Sequence, residues 1–235
     1  MRGCFTTIIF LLGIALAATW FVLPPVAGIL TQGALATTGF DADSTTVTVT
    51  ADPPPRLLTL KADSIRIQAT NLIYRGLHAT SADITLHEVA FADRTFKTID
   101  GTLKGVRFQA DSGPELGAPL VRLSGLADRI RATITVPAAD AEALAIAAVE
   151  GGIGITPKSV ILTGPDRIGV DVGGLAVAAR LAVRDGALML EAPTGSRVGS
   201  IALVTPGPDA PFRIESFKIV DGGLVIIATF LADLA

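Results

Sequence analysis

Residues 183–190 read VRDGALML, and residues 219–226 read IVDGGLVI. Each stretch places an Asp-Gly pair between two apolar runs, with a leucine two places after the first glycine. An Asp-Gly pair readily adopts the positive φ angles that a tight hairpin turn requires. The two stretches therefore predict two β-hairpins, and they indicate a sheet built from repeated hairpins.

Further strands are predicted on both sides of these turns. The alternation of Leu175–Val183 puts apolar side chains on one face and Arg180 and Arg184 in water. Leu224–Phe230 is apolar on both faces, so it needs cover on both sides from a helix, a second layer of a sandwich, or a lipid. The predicted strands of the last third are Ser159–Thr163, Ile168–Val172, Leu175–Val183, Ala187–Ala192, Ser200–Val204, Arg213–Val220 and Leu224–Phe230.

The first half of the chain shows the same period of two. Residues 44–51, 64–70 and 82–87 alternate apolar with polar side chains, as half-buried strands do. Three prolines at 53–55 break the pattern, and Asp100-Gly101 predicts another hairpin turn. Short strands joined by tight turns predict an antiparallel sheet.

The two halves are joined by a glycine- and proline-containing stretch at 111–118, which predicts a linker. A strand is predicted next at residues 129–136. A helix then follows over Ala141–Val149, with Asp140 as its N-cap and Gly151-Gly152 as its end. This helix is so apolar that a sheet or acyl chains must cover it.

The N-terminal segment Phe5–Leu23 carries no charge, and as a helix it would be about 28 Å long, close to the thickness of a bilayer's hydrocarbon core. Arg2 precedes it, and the next basic residue is Arg56, so the N-terminus is predicted to stay in the cytoplasm. A secretory signal cleaved near Ala17 or Ala18 is the alternative. In both cases residues 1–23 export a domain formed by residues 24–235.

Pro24-Pro25 ends or kinks this segment and can start a new helix, since proline suits a first helical turn. Residues 26–37 have apolar side chains at helical spacing and no Lys or Arg. This predicts a short amphipathic helix that lies at a lipid surface, lines a lipid groove, or packs as part of an ordinary core.

Composition excludes nucleic acid as a partner and fits an exported domain. The chain has 235 residues and a formal charge of −3, so it lacks the positive field that collects phosphates. Hydrophobic residues make up 50% and charged residues 17%, a large apolar supply for one domain. The lone Cys4 rules out an intrachain disulfide and a cysteine metal site.

Catalytic motifs are missing from the sequence. His78 and His87 are the only histidines, and they lack the spacing of a metal site. No nucleophile elbow, zinc-protease motif or phosphate-binding loop occurs. The sequence therefore predicts a protein that is not an enzyme and needs no cofactor or metal.

The order of these features resembles the LmeA-type phospholipid-binding family of bacterial envelopes. The resemblance spans about residues 19–230 and has no single diagnostic motif. It implies an exported or anchored α+β domain, similar to tubular lipid-binding proteins, in which a strongly curved antiparallel sheet of hairpins wraps two or three helices and binds phospholipid. The residues that carry it are Pro24-Pro25, Pro54-Pro55-Arg56-Leu57-Leu58, Ala62–Ala69, Asp185-Gly186 and Asp221-Gly222.

With that fold, we expect an apolar groove that holds acyl chains while the lipid headgroups stay in water. The expected partners are a phospholipid or other acyl lipid and a membrane. One alternative is an anchored β-rich structural or interaction module of the envelope with a protein partner, and another is a carboxylate-dependent hydrolase. The expected lining residues are Ile29, Leu30, Leu58, Ile65, Ile67, Leu144, Ala148, Leu224 and Ile226.

Overall fold

The computed structural model describes residues 23–32, 40–74, 77–109, 115–192, 199–205 and 212–231. These ranges form mostly antiparallel β-structure with few helices. The predicted anchor Phe5–Leu23 lies outside them, apart from Leu23 itself. In the described ranges, no helix combines the length and the apolar character needed to cross a bilayer.

Two α-helices, a 3-10 helix and fourteen strands make up the described chain. Helix α1 covers residues 23–32, the 3-10 helix covers Pro54–Thr59, and helix α2 covers Ala138–Ile153. The strands are β1 (Phe40–Asp41), β2 (Ser44–Thr50), β3 (Lys61–Tyr74), β4 (Leu77–Ala90), β5 (Thr98–Gln109), β6 (Glu115–Leu126), β7 (Arg129–Val136), β8 (Ser159–Thr163), β9 (Arg167–Val172), β10 (Leu175–Arg184), β11 (Ala187–Glu191), β12 (Ile201–Val204), β13 (Phe212–Val220) and β14 (Gly223–Leu231).

The strands form two open sheets and not the one wrapped sheet that the sequence predicted. A nine-stranded sheet has the order β1-β3-β4-β5-β6-β7-β14-β13, with β2 also paired to β3. A five-stranded sheet has the order β12-β11-β10-β9-β8. The second sheet and α2 lie in the chain between β7 and β14, which pair directly, with Val136 opposite Leu224. This long-range pairing separates the second sheet from the first.

The register places a continuous apolar row across one face of the nine-stranded sheet. From β3 to β14, neighbours in register are Ala69, Ala82, Leu103, Val121, Ile134 and Ile226. All but Ile134 are buried, and Ile134 packs against the same core. The opposite face carries polar partners such as Arg66 and Asp83. The sheet is therefore one-sided, as the alternating sequence predicted.

Helix α1 covers the β2 end of this face. Leu23 and Ala27 pack against the cluster of Val49, Ile65 and neighbouring side chains. Gln32 Nε2 donates a hydrogen bond to the carbonyl oxygen of Thr45 at 3.0 Å. A Cβ atom on Gly28 would lie 2.7 Å from the Val47 carbonyl oxygen, so glycine permits this close approach. The prediction of a helix after Pro24-Pro25 is confirmed for residues 26–32, the observed helix also includes residues 23–25, and residues 33–37 lie outside the described ranges.

Helix α2 covers the other end of the nine-stranded sheet, where it packs between this sheet and the five-stranded sheet. Ala141, Leu144, Ala145 and Val149 are buried against strands of both sheets. The predicted N-cap was wrong, because Pro137 occupies that position without a side-chain hydrogen bond and Asp140 lies in the first turn. The helix also runs past Gly151-Gly152 to Ile153, and Gly154 ends it with a φ of 70°.

The Asp-Gly hairpins of the last third are confirmed. Arg184 pairs with Ala187 and Val220 with Gly223, so each Asp-Gly pair forms a two-residue turn. All four turn residues have positive φ, as this turn type requires. The strands predicted around them have the observed positions to within one or two residues.

Two local predictions in the middle of the chain were wrong. Asp100 and Gly101 lie inside β5, where a Cβ atom on Gly101 would lie 3.0 Å from the Asp83 carbonyl oxygen of β4. Glycine is thus used there for close strand packing and not for a turn. The predicted linker at 111–118 is wrong for residues 115–118, because Glu115–Ala118 belong to β6 and pair with β5, and residues 111–114 lie outside the described ranges.

Candidate lipid-binding site

An apolar groove opens between the C-terminal half of α2 and the five-stranded sheet. Its volume is about 270 Å³, and none of the described residues that line it carries a charge. Ligand cavities commonly measure about 300–1,000 Å³, so this groove suits part of a small or slender molecule. Its lining residues are Val149, Ile153, Val170, Val172, Leu175, Val177, Ala179, Leu190, Ala192, Gly199 and Ile201.

Helix α2 forms one wall because it crosses the sheet from one edge to the other. Near its start, Glu142 Oε1 accepts a hydrogen bond of 3.4 Å from the Val160 backbone N–H of β8. Near its end, Gly152 faces Ile201 of β12, and a Cβ atom on this glycine would lie 2.7 Å from Ile201 Cγ2. Val149 and Ile153 are four residues apart on α2, so they share the face that borders the groove.

The hairpin of β9 and β10 forms the floor and the open end. Val172 pairs with Leu175, and Val170 pairs with Val177, which brings four branched side chains together. Leu181, farther along β10, is 1% exposed because the core covers it. Leu175, at the start of the strand, is 74% exposed. The apolar stripe of β10 therefore begins under the core and runs out into solvent.

The charges on β10 face away from the groove. Arg180 donates to Asp166 at 2.5 Å, and Arg184 donates to Glu191. Side chains alternate between the faces of a strand, so both arginines lie on the side opposite Ala179 and Leu181. Each guanidinium is paired with a carboxylate and faces away, so neither arginine adds charge to the groove surface.

The residues expected to line a groove are divided among three places. Ile29, Leu30 and Leu58 are exposed on α1 and the 3-10 helix. Ile65 and Ile67 are buried in β3 under α1, in a cluster of protein side chains. Leu144, Leu224 and Ile226 are buried between α2 and the sheets, and Ala148 packs against them. The structure does not bring these residues together on one surface, and none of them borders the groove described above.

The sequence did contain a signal for the groove. The apolar stripe Leu175–Val183 was recognised, and the alternation of Val170 and Val172 in the partner strand shows the same face. What the sequence did not show is how the core packs against β10. Leu181 is buried in the core cluster, whereas Leu175 on the same face is exposed, and this difference leaves an open apolar surface.

A second cavity lies at the turn between β1 and β2. Its volume is about 250 Å³, and its lining includes Asp41, Asp43 and Gln32. Asn71 Nδ2 donates a hydrogen bond of 2.6 Å to Asp43 Oδ2. No group of three or more potential metal ligands occurs among the described residues. His87 Nε2 lies 3.5 Å from Asp100 Oδ2 on the polar face of the large sheet.

Comparison with known proteins identifies the family. The sequence matches the family model for LmeA-like phospholipid-binding proteins over residues 17–229, nearly the whole chain. The chain belongs to the LmeA-like phospholipid-binding family. No curated protein and no solved structure matches it.

Membership of the LmeA-like family confirms the resemblance seen in the sequence and indicates lipid binding. The matched range contains α1, α2 and both sheets, so it includes every side chain that borders the groove. A neutral groove walled by aliphatic side chains has the surface that a lipid tail requires. Among the described cavities, this groove is therefore the candidate site.

Proposed function

We propose that this protein binds phospholipid by holding part of one acyl chain in the groove between α2 and the five-stranded sheet. The observation that carries the proposal is the exposed apolar end of β10, at Leu175 and Val177, beside a groove whose described lining residues carry no charge. Each methylene removed from water contributes about 0.8 kcal/mol, so several buried methylenes give useful affinity without a polar contact.

The same neutrality implies tolerance of different headgroups. A site that selects a phosphate or an amine needs charged or hydrogen-bonding partners at fixed positions. The described lining residues offer none, so in this proposal the headgroup stays in water and contributes little to affinity. We propose binding without catalysis, in agreement with a family described by what it binds.

The proposed location is the cell envelope, with the domain outside the cytoplasm. Support comes from the uncharged segment Phe5–Leu23 and from Arg2 before it. Residues 1–23 hold the domain at a membrane, or are removed after they have exported it. A lipid-binding domain in that position would bind the lipids of the envelope.

Photo-crosslinking in vesicles tests the groove. The full chain is placed in phosphatidylcholine vesicles that contain a trace of phosphatidylcholine with a diazirine on one acyl chain, and the labelled peptides are mapped by mass spectrometry. We expect label on β9, β10 and the C-terminal half of α2. Label confined to residues 1–23 would contradict the proposal and favour the interaction-module alternative.

A matched pair of variants sharpens this test. The double variant Leu175→Asp with Val177→Asp puts carboxylates into the groove at positions that are already partly exposed. Labelling of the groove peptides should fall at least about tenfold, which corresponds to about 1.4 kcal/mol. Ile161→Asp is the control, because Ile161 is 60% exposed on β8 of the same sheet and does not line the groove. Its labelling should equal that of the unmodified chain.

A further inference from the structure

Helix α1 exposes an apolar face that the groove does not use. Ile29 is 69% exposed and Leu30 is 70% exposed, and Val26 beside them is also exposed. The spacing of these positions, three and four residues apart, places them on one side of the helix. The opposite side is fixed against β2 and β3 by Gly28 and Gln32. The exposed face is therefore held in a defined orientation.

The chain itself indicates what lies next to this face. The uncharged segment Phe5–Leu23 ends at the first described residue of α1. Val26 follows three residues later, a rise of about 4.5 Å along a helix. With Phe5–Leu23 in a bilayer, Val26, Ile29 and Leu30 lie at the depth where that bilayer meets water.

The charge pattern around α1 is that of a protein surface that contacts lipid without electrostatic attraction. No Lys or Arg occurs between residues 24 and 55. Arg56, the first basic residue after this stretch, is paired with Asp63 at 2.6 Å. Leu58 and Leu60 are exposed beside Leu57, and Leu57 belongs to the core cluster that α1 covers. Insertion of aliphatic side chains is thus the available mode of contact.

We propose that the exposed face of α1, formed by Val26, Ile29 and Leu30, docks into the surface of the lipid bilayer and fixes the orientation of the domain on the membrane. This inference rests on the predicted anchor and not on the groove, so the two proposals can fail separately. Docking at α1 puts the β2 end of the large sheet at the membrane. The five-stranded sheet contacts β13, the strand at the opposite edge of the large sheet.

Depth-dependent quenching tests the docking. In a Cys4→Ser background, the full chain receives one cysteine at Ile29→Cys or at Leu30→Cys, labelled with the fluorophore NBD. The protein is reconstituted in phosphatidylcholine vesicles with and without brominated acyl chains. We expect both labels to be quenched several-fold more than the same label at Ile161→Cys, an exposed position on β8. All three positions are exposed, so labelling leaves the core intact.

Trp20 provides an internal reference because it is the only tryptophan and lies within the apolar segment. Quenched Trp20 together with quenched labels at 29 and 30 supports docking. If Trp20 is quenched but the labels at 29 and 30 are quenched no more than the label at 161, the docking proposal is overturned and the anchor remains supported. Trp20 that stays unquenched removes the basis of the proposal and overturns it as well. Quenching of the α1 labels by a nitroxide on a second copy, without quenching by brominated lipid, assigns this face to self-association and overturns the proposal.

Discussion

Gly152 of α2 faces Ile201 of β12 so closely that a Cβ atom on the glycine would lie 2.7 Å from Ile201 Cγ2 and 2.9 Å from Cγ1. This contact fixes the end of the helix against the edge strand of the second sheet. It also sets the width of the groove, because Ile153 and Ile201 both line it. A small side chain is therefore required at a position where helix propensity alone would favour alanine.

Gly152→Ala should destabilise the protein by about 1–3 kcal/mol, because an added methyl group overpacks a contact with a stiff β-branched side chain. Denaturant unfolding measures the change. Gly151→Ala is the control, since a Cβ atom there would meet nothing within 4 Å. That variant should gain roughly 0.5–1 kcal/mol from helix propensity. Equal effects of Gly152→Ala and Gly151→Ala on stability would contradict the close contact. Adding Ile201→Ala to the Gly152→Ala variant should restore its stability.

Gly28→Ala should loosen α1 from β2. Its new methyl group would press on the Val47 carbonyl oxygen, a backbone atom that cannot rotate away. We expect a loss of about 1–3 kcal/mol and faster hydrogen exchange in residues 23–32 and in β2. Ile29→Ala on the exposed face of the same helix should leave exchange in β2 unchanged. Unchanged exchange in Gly28→Ala would show that the helix is not held at this point.

Gly186→Ala should weaken the hairpin of β10 and β11. Gly186 has a φ of 78°, and a Cβ atom there would lie 3.0 Å from Arg213 Cβ. The left-handed conformation costs an L-residue roughly 1–2 kcal/mol. Thermal unfolding should show a loss of about this size or more. Asp185→Asn is the control, since asparagine tolerates a positive φ, and its stability should stay close to that of the unmodified chain. A neutral Gly186→Ala would contradict the turn geometry.

The ion pair between Arg66 and Asp83 should make stability depend on pH. Arg66 donates two hydrogen bonds to the Asp83 carboxylate, at 2.9 and 2.6 Å. These bonds are the main cause of a lowered pKa of Asp83, and partial desolvation opposes them. The pair therefore stabilises the fold above the usual pKa of an aspartate, and this contribution disappears as pH falls through the lowered pKa. Both side chains are well exposed, so the effect is small.

We expect Asp83→Asn to be slightly less stable than the unmodified chain near pH 6. The difference should shrink as pH falls through the lowered pKa of Asp83, because the protonated carboxyl no longer forms the ion pair. Urea unfolding over this pH range measures the difference. In an Arg66→Gln background, Asp83→Asn should lose most of its pH-dependent effect. An undiminished effect there would assign the lowered pKa to another group.

The strands were predictable because their signals are local. In β2 the alternation of Val47 and Val49 with threonines fixes which face is buried, and Asp185-Gly186 fixes a turn within two residues. The same local rule failed at Asp100-Gly101. There the pairing of β5 with β4 and β6 decides the conformation, and Gly101 serves close strand packing. A dipeptide carries no information about a strand that lies elsewhere in the sequence.

The two-sheet arrangement and the groove depend on distant parts of the chain. The pairing of Val136 with Leu224 separates the second sheet from the first, and no periodicity within β7 or β14 indicates that partner. The exposure of Leu175 likewise depends on how distant parts of the chain pack around β10, since Leu181 on the same face is buried. The sequence correctly indicated an apolar stripe, but whether a side chain in it is core or ligand surface is a tertiary property.

The direct pairing of β7 with β14 has an evolutionary consequence. Because these strands are neighbours, the large sheet is continuous without α2 and the five-stranded sheet, which form an inserted module that connects the end of β7 to the start of β13. Such a module can change length, sequence or cargo without shifting the register of the scaffold that carries it. Diversification of ligand preference among members of this family should then concentrate in the insertion, while the α1 end of the scaffold stays comparatively constant.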